Sequence, residues 1–339
     1  MGILLIIKNN FKRETKNKLK FVLYIMIPTV AIVLTIISNS FMKPSYTFGI
    51  IGNVNSKGNV RIIKLLKNTK DIKVENADKK SIQTDLIMGK YAAILDFKGQ
   101  SKVVYSEKNS IYLASKKLLN YYSTSNQPIK LQKFSNELFK NQMSTAERIM
   151  GFIIMCLFIT TTMTAVIMIR DKENGILTRI RYSTNKISKY ILGNLIYNYI
   201  ITYTQLLASA AVIRIFNINI GITITNFLLI SLLLTFISTA FGTFMAAAFK
   251  TELKASITAS SLALLTTLLG GGFLSVNNMP NGLKIISNIT PTRWIIKFTT
   301  YIESNDTLTK GITSLIFLIG FGTILLLLST VLQKCYNRD

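Results

Sequence analysis

Residues 149–169 read IMGFIIMCLFITTTMTAVIMI, and the residues that follow, 170–181, read RDKENGILTRIR. The first stretch has no charged side chain, and as a helix it is long enough to cross a hydrocarbon core about 30 Å thick. The second opens with four charged residues in succession, so the apolar helix is expected to end there. An uncharged stretch bounded by such a segment predicts a helix that crosses a membrane.

The same pattern recurs on both sides of this stretch. Further uncharged stretches lie at residues 21–40, 190–213, 226–249, 256–276 and 312–332. The first of these has too long an apolar core for a signal peptide, and Ser38-Asn39-Ser40 makes a poor cleavage site, so we interpret it as a retained span. The predicted fold is an α-helical polytopic membrane protein with six transmembrane helices, the last five lying within residues 149–339.

Charge is distributed unevenly among the segments that join the spans. Lys and Arg are more frequent on the side of the N-terminus than in the short loops of the other side, so the positive-inside rule places both termini in the cytoplasm. The chain has 40 Lys and Arg against 15 Asp and Glu, but its basic stretches are not interleaved with stacking aromatic residues. We therefore expect no nucleic-acid partner, and we expect the chain among the lipids of a bacterial cell membrane.

Two parts of the chain lie outside the spans. Residues 1–20 combine an apolar run with six Lys and Arg, which predicts an amphipathic helix lying on an anionic membrane surface. Residues 41–148, between the first two spans, mix strand patterns such as 46–51 with helical ones such as 81–88, whose N-cap we assign to Ser81. They predict an extracytoplasmic α/β domain, since long domains are translocated largely regardless of their charge.

The residue types needed for catalysis or metal binding are scarce. The chain has no histidine and two cysteines, and it has no G-x-x-x-x-G-K-[ST] loop that would hold a nucleotide. Its predicted spans also lack the carboxylates that ion-driven transporters use. We therefore expect no catalytic, cofactor or metal site in this chain, and a partner has to supply the energy for any uphill transport.

The charged segment after residue 169 predicts a contact with another protein. Gly175 allows a turn, after which Ile176, Leu177 and Ile180 share one face of a short helix and Arg179 lies off that face. Such a helix either enters a groove on a partner protein or rests on lipid headgroups, and the periodicity fits both.

The same segment resembles a known family. The pattern Glu173-x-Gly175-Ile176-Leu177-x-Arg179-Ile180, followed by Ile187-Ser188 and Leu192-Gly193, is similar to the coupling-helix region of type-2 ABC exporter permeases. In that family the region contacts a separate ATPase. The resemblance therefore implies a cytosolic coupling helix at about residues 171–182, with coupling residues Glu173, Gly175, Ile176, Leu177, Arg179 and Ile180. Ile176 replaces the usual Thr, and Asn185 stands where Pro is frequent.

A second resemblance lies before the last span. Gly270-Gly271-Gly272-Phe273 is followed by Met279-Pro280, Ile286, Pro291 and Trp294 at the family's spacing. In the family this outer region, here about residues 277–300, holds short re-entrant helices. The resemblance implies that role for Gly270, Gly271, Gly272, Pro280, Pro291 and Trp294, and an ordinary interfacial loop with a belt tryptophan is the alternative.

The resemblance covers nearly the whole chain, and residues 48–51 and 89–95 resemble strands of the family's long-extracellular-loop branch. It implies the permease of an ABC exporter, in which two identical or paralogous copies work with ATPase subunits that bind ATP and magnesium. Hydroxyl-bearing residues in the second, fourth and fifth spans favour an amphipathic cargo such as a drug, an antimicrobial peptide or a lipid. The rival interpretation is a membrane-anchored receptor or immunity protein that binds an extracellular peptide without transport.

Overall fold

The computed structural model describes residues 2–41, 46–52, 57–68, 72–97, 103–107, 109–124, 143–182, 187–303 and 308–335. The chain divides into two compact units. One consists of Met1–Asn39 and Met143–Asp339, and the other of Ser40–Gln142. The first unit starts with helices α1 (Ile3–Thr15) and α2 (Lys18–Phe41).

The unit Ser40–Gln142 is an α/β unit with a four-stranded sheet. Its elements, in chain order, are β1 (Tyr46–Ile51), α3 (Lys57–Asn68), β2 (Ile72–Asn76), α4 (Ile82–Ile87), β3 (Ala93–Asp96), β4 (Val103–Tyr105) and α5 (Asn109–Thr124). The strand order is β2-β1-β3-β4; β1 is parallel to both neighbours and β4 is antiparallel to β3. Its core contains the fully buried Phe48, Ile62 and Leu95. The placement of this unit outside the cell stays a prediction.

One predicted helix cap in this unit lacks its hydrogen bond. A 3₁₀ turn at Lys79–Ser81 precedes α4, and Ser81 makes no cap hydrogen bond. Its hydroxyl donates to Asp85 Oδ2 at 2.6 Å, whereas the Asp78 carboxylate accepts from the Lys80 backbone N–H at 3.2 Å. Ser81 therefore holds the predicted N-cap position of α4 without making a capping bond, and the side-chain cap of the preceding 3₁₀ turn comes from Asp78, whose carboxylate is a charged acceptor.

The remaining elements of the helical unit follow residue 142. They are α6 (Thr145–Glu173), α7 (Ile176–Tyr182), α8 (Ile187–Ile215), α9 (Ile224–Ala248), α10 (Glu252–Gly270), α11 (Asn281–Ser287), α12 (Pro291–Glu303) and α13 (Leu308–Cys335). A capping box starts α6, in which Ser144 Oγ accepts from Glu147 N at 3.1 Å and the Glu147 side chain accepts from Ser144 N at 3.0 Å. Most of α6 and α9 is buried, which places these two helices at the centre of the unit.

Five helices of the described chain are long and apolar enough to cross a membrane: α6, α8, α9, α10 and the part Gly311–Gln333 of α13. They coincide with the second to sixth predicted spans, so the protein is a helical polytopic membrane protein. The first predicted span lies in α2, whose described apolar part, Phe21–Ile37, is shorter. The sixth crossing therefore stays a prediction.

The predicted fifth span, 256–276, extends too far. α10 ends at Gly270 because Gly271 adopts a φ of 92°, in the left-handed region, and its N–H bonds back to the last turn of the helix. Glycine enters this conformation without a steric penalty, so it commonly ends helices. Residues 271–275 are not helical, and Val276–Asn278 form a 3₁₀ turn.

Candidate functional site

The predicted coupling segment begins with a tight turn. Asn174 ends α6, its N–H bonding to Arg170 O at 2.9 Å, and Gly175 follows with a φ of 66°. A Cβ at Gly175 would meet no atom within 4 Å, so the backbone conformation, and not the space, favours glycine there. Helix α7 starts at the next residue, as the sequence predicts.

The apolar face of α7 packs on the protein's own helices. Leu177 is 3% exposed and lies in a cluster with Ile6 of α1 and with Tyr190 and Ile191 of α8, to which Ile180 adds. We call these residues the anchor cluster. The cluster thus covers the apolar face, for which the sequence left a partner's groove and lipid headgroups open, and Leu177 holds α7 onto its own chain.

The opposite side of α7 is open. Thr178 and Arg179 are exposed, Tyr182 is 87% exposed, and Glu173 is exposed just before the turn. A second protein that meets α7 would therefore meet polar and aromatic side chains first. Asn185, where the sequence departs from the family pattern, lies outside the described residues.

A polar network joins α6 to α1 and α8 beside the anchor cluster. Asp171 is 2% exposed, and its carboxylate accepts from Arg13 Nη1 at 2.8 Å and from Tyr190 Oη at 2.6 Å. Next to it, Asn10 Nδ2 donates to Asn194 Oδ1 at 2.7 Å, and Asn194 Nδ2 donates to Tyr190 O at 2.9 Å. We call these five side chains the polar network. They hold α1, α6 and α8 together next to the start of α7.

Two charged residues next to Asp171, Lys172 and Arg170, join α6 to α9 and α10. Lys172 Nζ donates to the carbonyls of Ala246 and Ala247 at 2.7 and 3.1 Å, in the last turn of α9. Carbonyls at a helix C-terminus lack intrahelical partners and carry partial negative charge, so a buried ammonium suits them. Arg170 binds Glu252, the first residue of α10, through both carboxylate oxygens at 2.9–3.2 Å. The charged run that ends α6 thus contacts four other helices.

Much of this arrangement was not predicted from the sequence. The sequence predicts that α1 lies on lipid, but Ile6, Asn10 and Arg13, which share one face of α1, pack on protein. Gly193 permits the approach, because a Cβ there would lie 2.9 Å from Ile6 Cγ2. Leu4 is 82% exposed, so another face of α1 remains open to a membrane surface. The helical spacing of the three inward residues was the available signal.

The glycines near the end of the fifth predicted span lie where three helices approach closely. A Cβ at Gly270 would be 2.6 Å from Thr292 Cβ in α12, and a Cβ at Gly151 in α6 would be 2.6 Å from Gly272 Cα. Gly271 supplies the left-handed turn described above. The backbone of this turn and helices α6 and α12 therefore meet without intervening side chains.

The two short helices that follow begin at the predicted prolines. Pro280 is the N-cap of α11 and is exposed, and Pro291 is the first residue of α12, where its missing N–H costs no helical hydrogen bond. Trp294 Nε1 donates to Asn288 O at 2.6 Å, and its ring stacks on Phe317 of α13 at a centroid distance of 4.7 Å. Both helices are too short to cross a membrane, and their depth within it stays a prediction.

α12 is fixed to the start of α6, at the end of the bundle opposite α7. Thr300 Oγ1 donates to Glu147 Oε1 at 2.5 Å, and Ser144 Oγ donates to Glu303 Oε2 at 2.8 Å. Burial raises the pKa of Glu303, although the Ser144 hydroxyl partly opposes this effect. The structure thus brings Gly270 against Thr292 of α12 and Gly272 against Gly151 of α6.

The comparison with protein families agrees with this architecture. The family described as "ABC-2 family transporter protein" matches residues 19–331, which include α2, the unit Ser40–Gln142 and almost all of the helices after it. The chain belongs to the ABC-2 transporter family. It is therefore a membrane permease of an ABC transporter, and membership implies an ABC ATPase partner in general. A comparison with curated proteins gave no match.

The hydroxyls expected along a cargo path are used inside this permease. The buried threonines of the second, fourth and fifth spans donate to backbone carbonyls one turn earlier in the same helix: Thr161, Thr162, Thr235, Thr239, Thr243 and Thr267. Such bonds satisfy a buried hydroxyl without a partner helix. These residues therefore contribute to packing within the helices, and the class of cargo stays a prediction.

The small residues of α10 also pack within the permease. One stripe along the helix is buried, facing α6 over most of its length: Ala255, Ala259, Ala263, Thr267 and Gly270. On the other side Ile257, Leu264 and Leu268 are 41–58% exposed. The buried small residues of α10 therefore pack within one subunit.

The described residues contain no group of three or more His, Cys, Asp or Glu side chains placed to hold a metal ion. Cys156 in α6 is a free cysteine.

Proposed function

We propose that this permease is the membrane subunit of an exporter and that a separate ABC ATPase docks on the open side of α7. The observation that carries the proposal is the two-sided character of α7. Arg179 and Tyr182 are exposed on one side, while Leu177 is buried in the anchor cluster on the other. A partner that moves α7 from its open side therefore also displaces the helices beneath it.

The contacts of α6 extend that displacement. Asp171 joins α6 to α1 and α8, and Lys172 and Arg170 join it to α9 and α10. Tightly packed interfaces of this kind shift between discrete arrangements and do not deform gradually. ATP binding and hydrolysis in the partner, which holds the ATP and magnesium, would shift the long helices through these contacts.

In this proposal two permease subunits, identical or paralogous, assemble with two ATPases. Both termini are cytoplasmic, α7 is the cytosolic coupling helix, and the α/β unit Ser40–Gln142 lies outside, as in the long-extracellular-loop branch. Helices α11 and α12 form the outer re-entrant region. The cargo is a drug, an antimicrobial peptide or a lipid, and this class rests on the family resemblance.

Affinity purification of the tagged permease in a mild detergent, with mass spectrometry of bound proteins, tests the docking. Arg179→Glu and Tyr182→Ala are expected to remove a stoichiometric ABC ATPase. Arg214→Glu is the matched control, because Arg214 is exposed near the far end of α8. Size-exclusion profiles check that each variant is folded.

Retention of the ATPase by the doubly substituted Arg179→Glu, Tyr182→Ala permease would refute docking on α7. Absence of any ABC ATPase from the wild-type sample, with retention of an extracellular peptide, would refute the exporter and favour the receptor.

A further inference from the structure

Helix α12 carries two basic side chains one turn apart that are partly withdrawn from water. Arg293 and Lys297 are both half-buried. The Nε of Arg293 is shielded from solvent and has no hydrogen-bond partner within the described part of the chain. A buried, unsatisfied donor on a charged group is costly, and native proteins rarely leave one without a partner.

A carboxylate near Arg293 makes its hydrogen bonds with other groups. Glu147 is close enough to Arg293 to favour its charged form, but its two oxygens accept from Ser144 N at 3.0 Å and Thr300 Oγ1 at 2.5 Å. Burial lowers the pKa of Arg293 and of Lys297, and for Lys297 the positive charge of Arg293 adds to the effect. The fold therefore holds two like charges together at the expense of their hydration.

An aromatic surface adjoins these charges. Lys297 Nζ lies 4.1 Å from the centroid of the Trp294 ring, whose stacking partner, Phe317, itself stacks on Phe321. A cation over an aromatic face, next to further rings, suits a ligand that joins a negative group to an apolar chain.

We propose that Arg293 and Lys297 bind the phosphate of an anionic amphiphile, with the Trp294–Phe317 surface against its apolar chain. The chemistry required is a phosphate, which a lipid headgroup supplies together with the chain and free phosphate supplies without it. The site lies at the opposite end of α6 from α7, and its occupancy does not depend on the proposed ATPase.

The single tryptophan of the chain makes the site directly observable, because all tryptophan fluorescence comes from Trp294. The full-length permease in neutral maltoside micelles is titrated with phosphatidylglycerol or phosphatidylcholine carrying brominated acyl chains, which quench tryptophan on contact. Phosphatidylcholine carries the same phosphate, but its trimethylammonium group cancels the net charge of the headgroup and is repelled by the two basic side chains. We therefore expect phosphatidylglycerol to quench at about tenfold lower concentration than phosphatidylcholine.

Arg293→Gln and Lys297→Gln are each expected to bring the two lipids close to equal quenching. Lys284→Gln is the matched control, because Lys284 is also half-buried but lies on α11, and it is expected to keep the preference. A competition with inorganic phosphate separates the two sources. No displacement of phosphatidylglycerol supports a lipid site, and displacement that restores fluorescence supports a site for free phosphate.

Equal quenching by both lipids in the wild-type protein would overturn the proposal and make α12 an ordinary interfacial helix. An undiminished preference in both Gln variants would also overturn it, because the selectivity would then come from other residues. The wild-type comparison needs no substitution, so a variant that fails to fold leaves the test intact.

Discussion

Replacing Asp171 by Asn removes one negative charge and keeps the size of the side chain. Its carboxylate is buried, with 3% side-chain exposure, and it accepts from Arg13 and from the Tyr190 hydroxyl. Removing one partner of a fully buried ion pair costs about 3–5 kcal/mol. The loss should be smaller here, because the Arg13 side chain is 33% exposed and can regain water and because the Asn oxygen still accepts from Tyr190. We therefore expect the free energy of unfolding to fall by about 2 kcal/mol.

The assay is thermal unfolding of the purified permease, run as a double-mutant cycle with Arg13→Gln. The double variant is expected to be little less stable than Asp171→Asn alone, since the same interaction is removed twice. Glu252→Gln is the control, because the Arg170–Glu252 pair lies at the same end of α6 but has side-chain exposures of 46% and 45%. Exposed pairs are worth about 0–1 kcal/mol. Equal losses in Asp171→Asn and Glu252→Gln, or additive losses in the cycle, would refute the reasoning.

Three further substitutions test the packing, and thermal unfolding measures each. Gly151→Ala is expected to lower the free energy of unfolding by about 1–3 kcal/mol, because the added Cβ overpacks against Gly272. Gly282→Ala is expected to cause no loss, because a Cβ there meets nothing within 4 Å. Equal effects of the two substitutions would contradict the close approach of Gly151 and Gly272. Lys172→Met removes the donor to two carbonyls of α9 and is expected to cost about 2 kcal/mol, with the exposed Lys189→Met as a neutral control. The pKa of Glu303 is raised in the folded state, so the contribution of Glu303 to the free energy of unfolding falls as pH rises from below 4.5. Glu303→Gln is therefore expected to gain stability relative to wild type over that rise. A difference between the two proteins that does not change with pH would count against this prediction.

Local signals in the sequence were sufficient for the elements of the fold. Uncharged stretches located five long helices because a helix in a hydrocarbon core must carry its apolar length in consecutive residues. Gly175 located the turn before α7 because glycine adopts a left-handed φ, here 66°, without the steric penalty that a Cβ brings. The sequence also indicated β1 at residues 46–51 through its run of β-branched and aromatic residues.

Contacts between distant residues were not accessible in the same way. Asp171 pairs with Arg13, which is 158 residues away, and the sequence around either residue does not indicate its partner. Leu177 lies on an apolar face whose periodicity is the same whether Ile6 or another protein covers it. Gly270 was noticed for its motif, but its close approach to Thr292 depends on how α10 and α12 are packed. Periodicity shows that a face is buried and does not show what buries it.

The two-sided character of α7 separates docking from transmission. If Arg179 faces the ATPase and Asp171 holds the helices beneath, the two substitutions should give different defects. Arg179→Glu is expected to lose the bound ATPase, as judged by co-purification. Asp171→Asn is expected to retain it, because the residue is 2% exposed and cannot reach a partner, but to lose the stimulation of ATP hydrolysis by cargo.

This difference can be measured on one preparation of each complex, with subunit ratios from mass spectrometry and phosphate release as the activity. Loss of the ATPase in both variants would mean that α7 needs the polar network to keep its docking conformation. Retention with normal stimulation in Asp171→Asn would mean that movement reaches the long helices by another route. Since the anchor cluster remains intact in Asp171→Asn, this second result would place the transmitted force on Leu177 and its apolar neighbours and not on the buried ion pair.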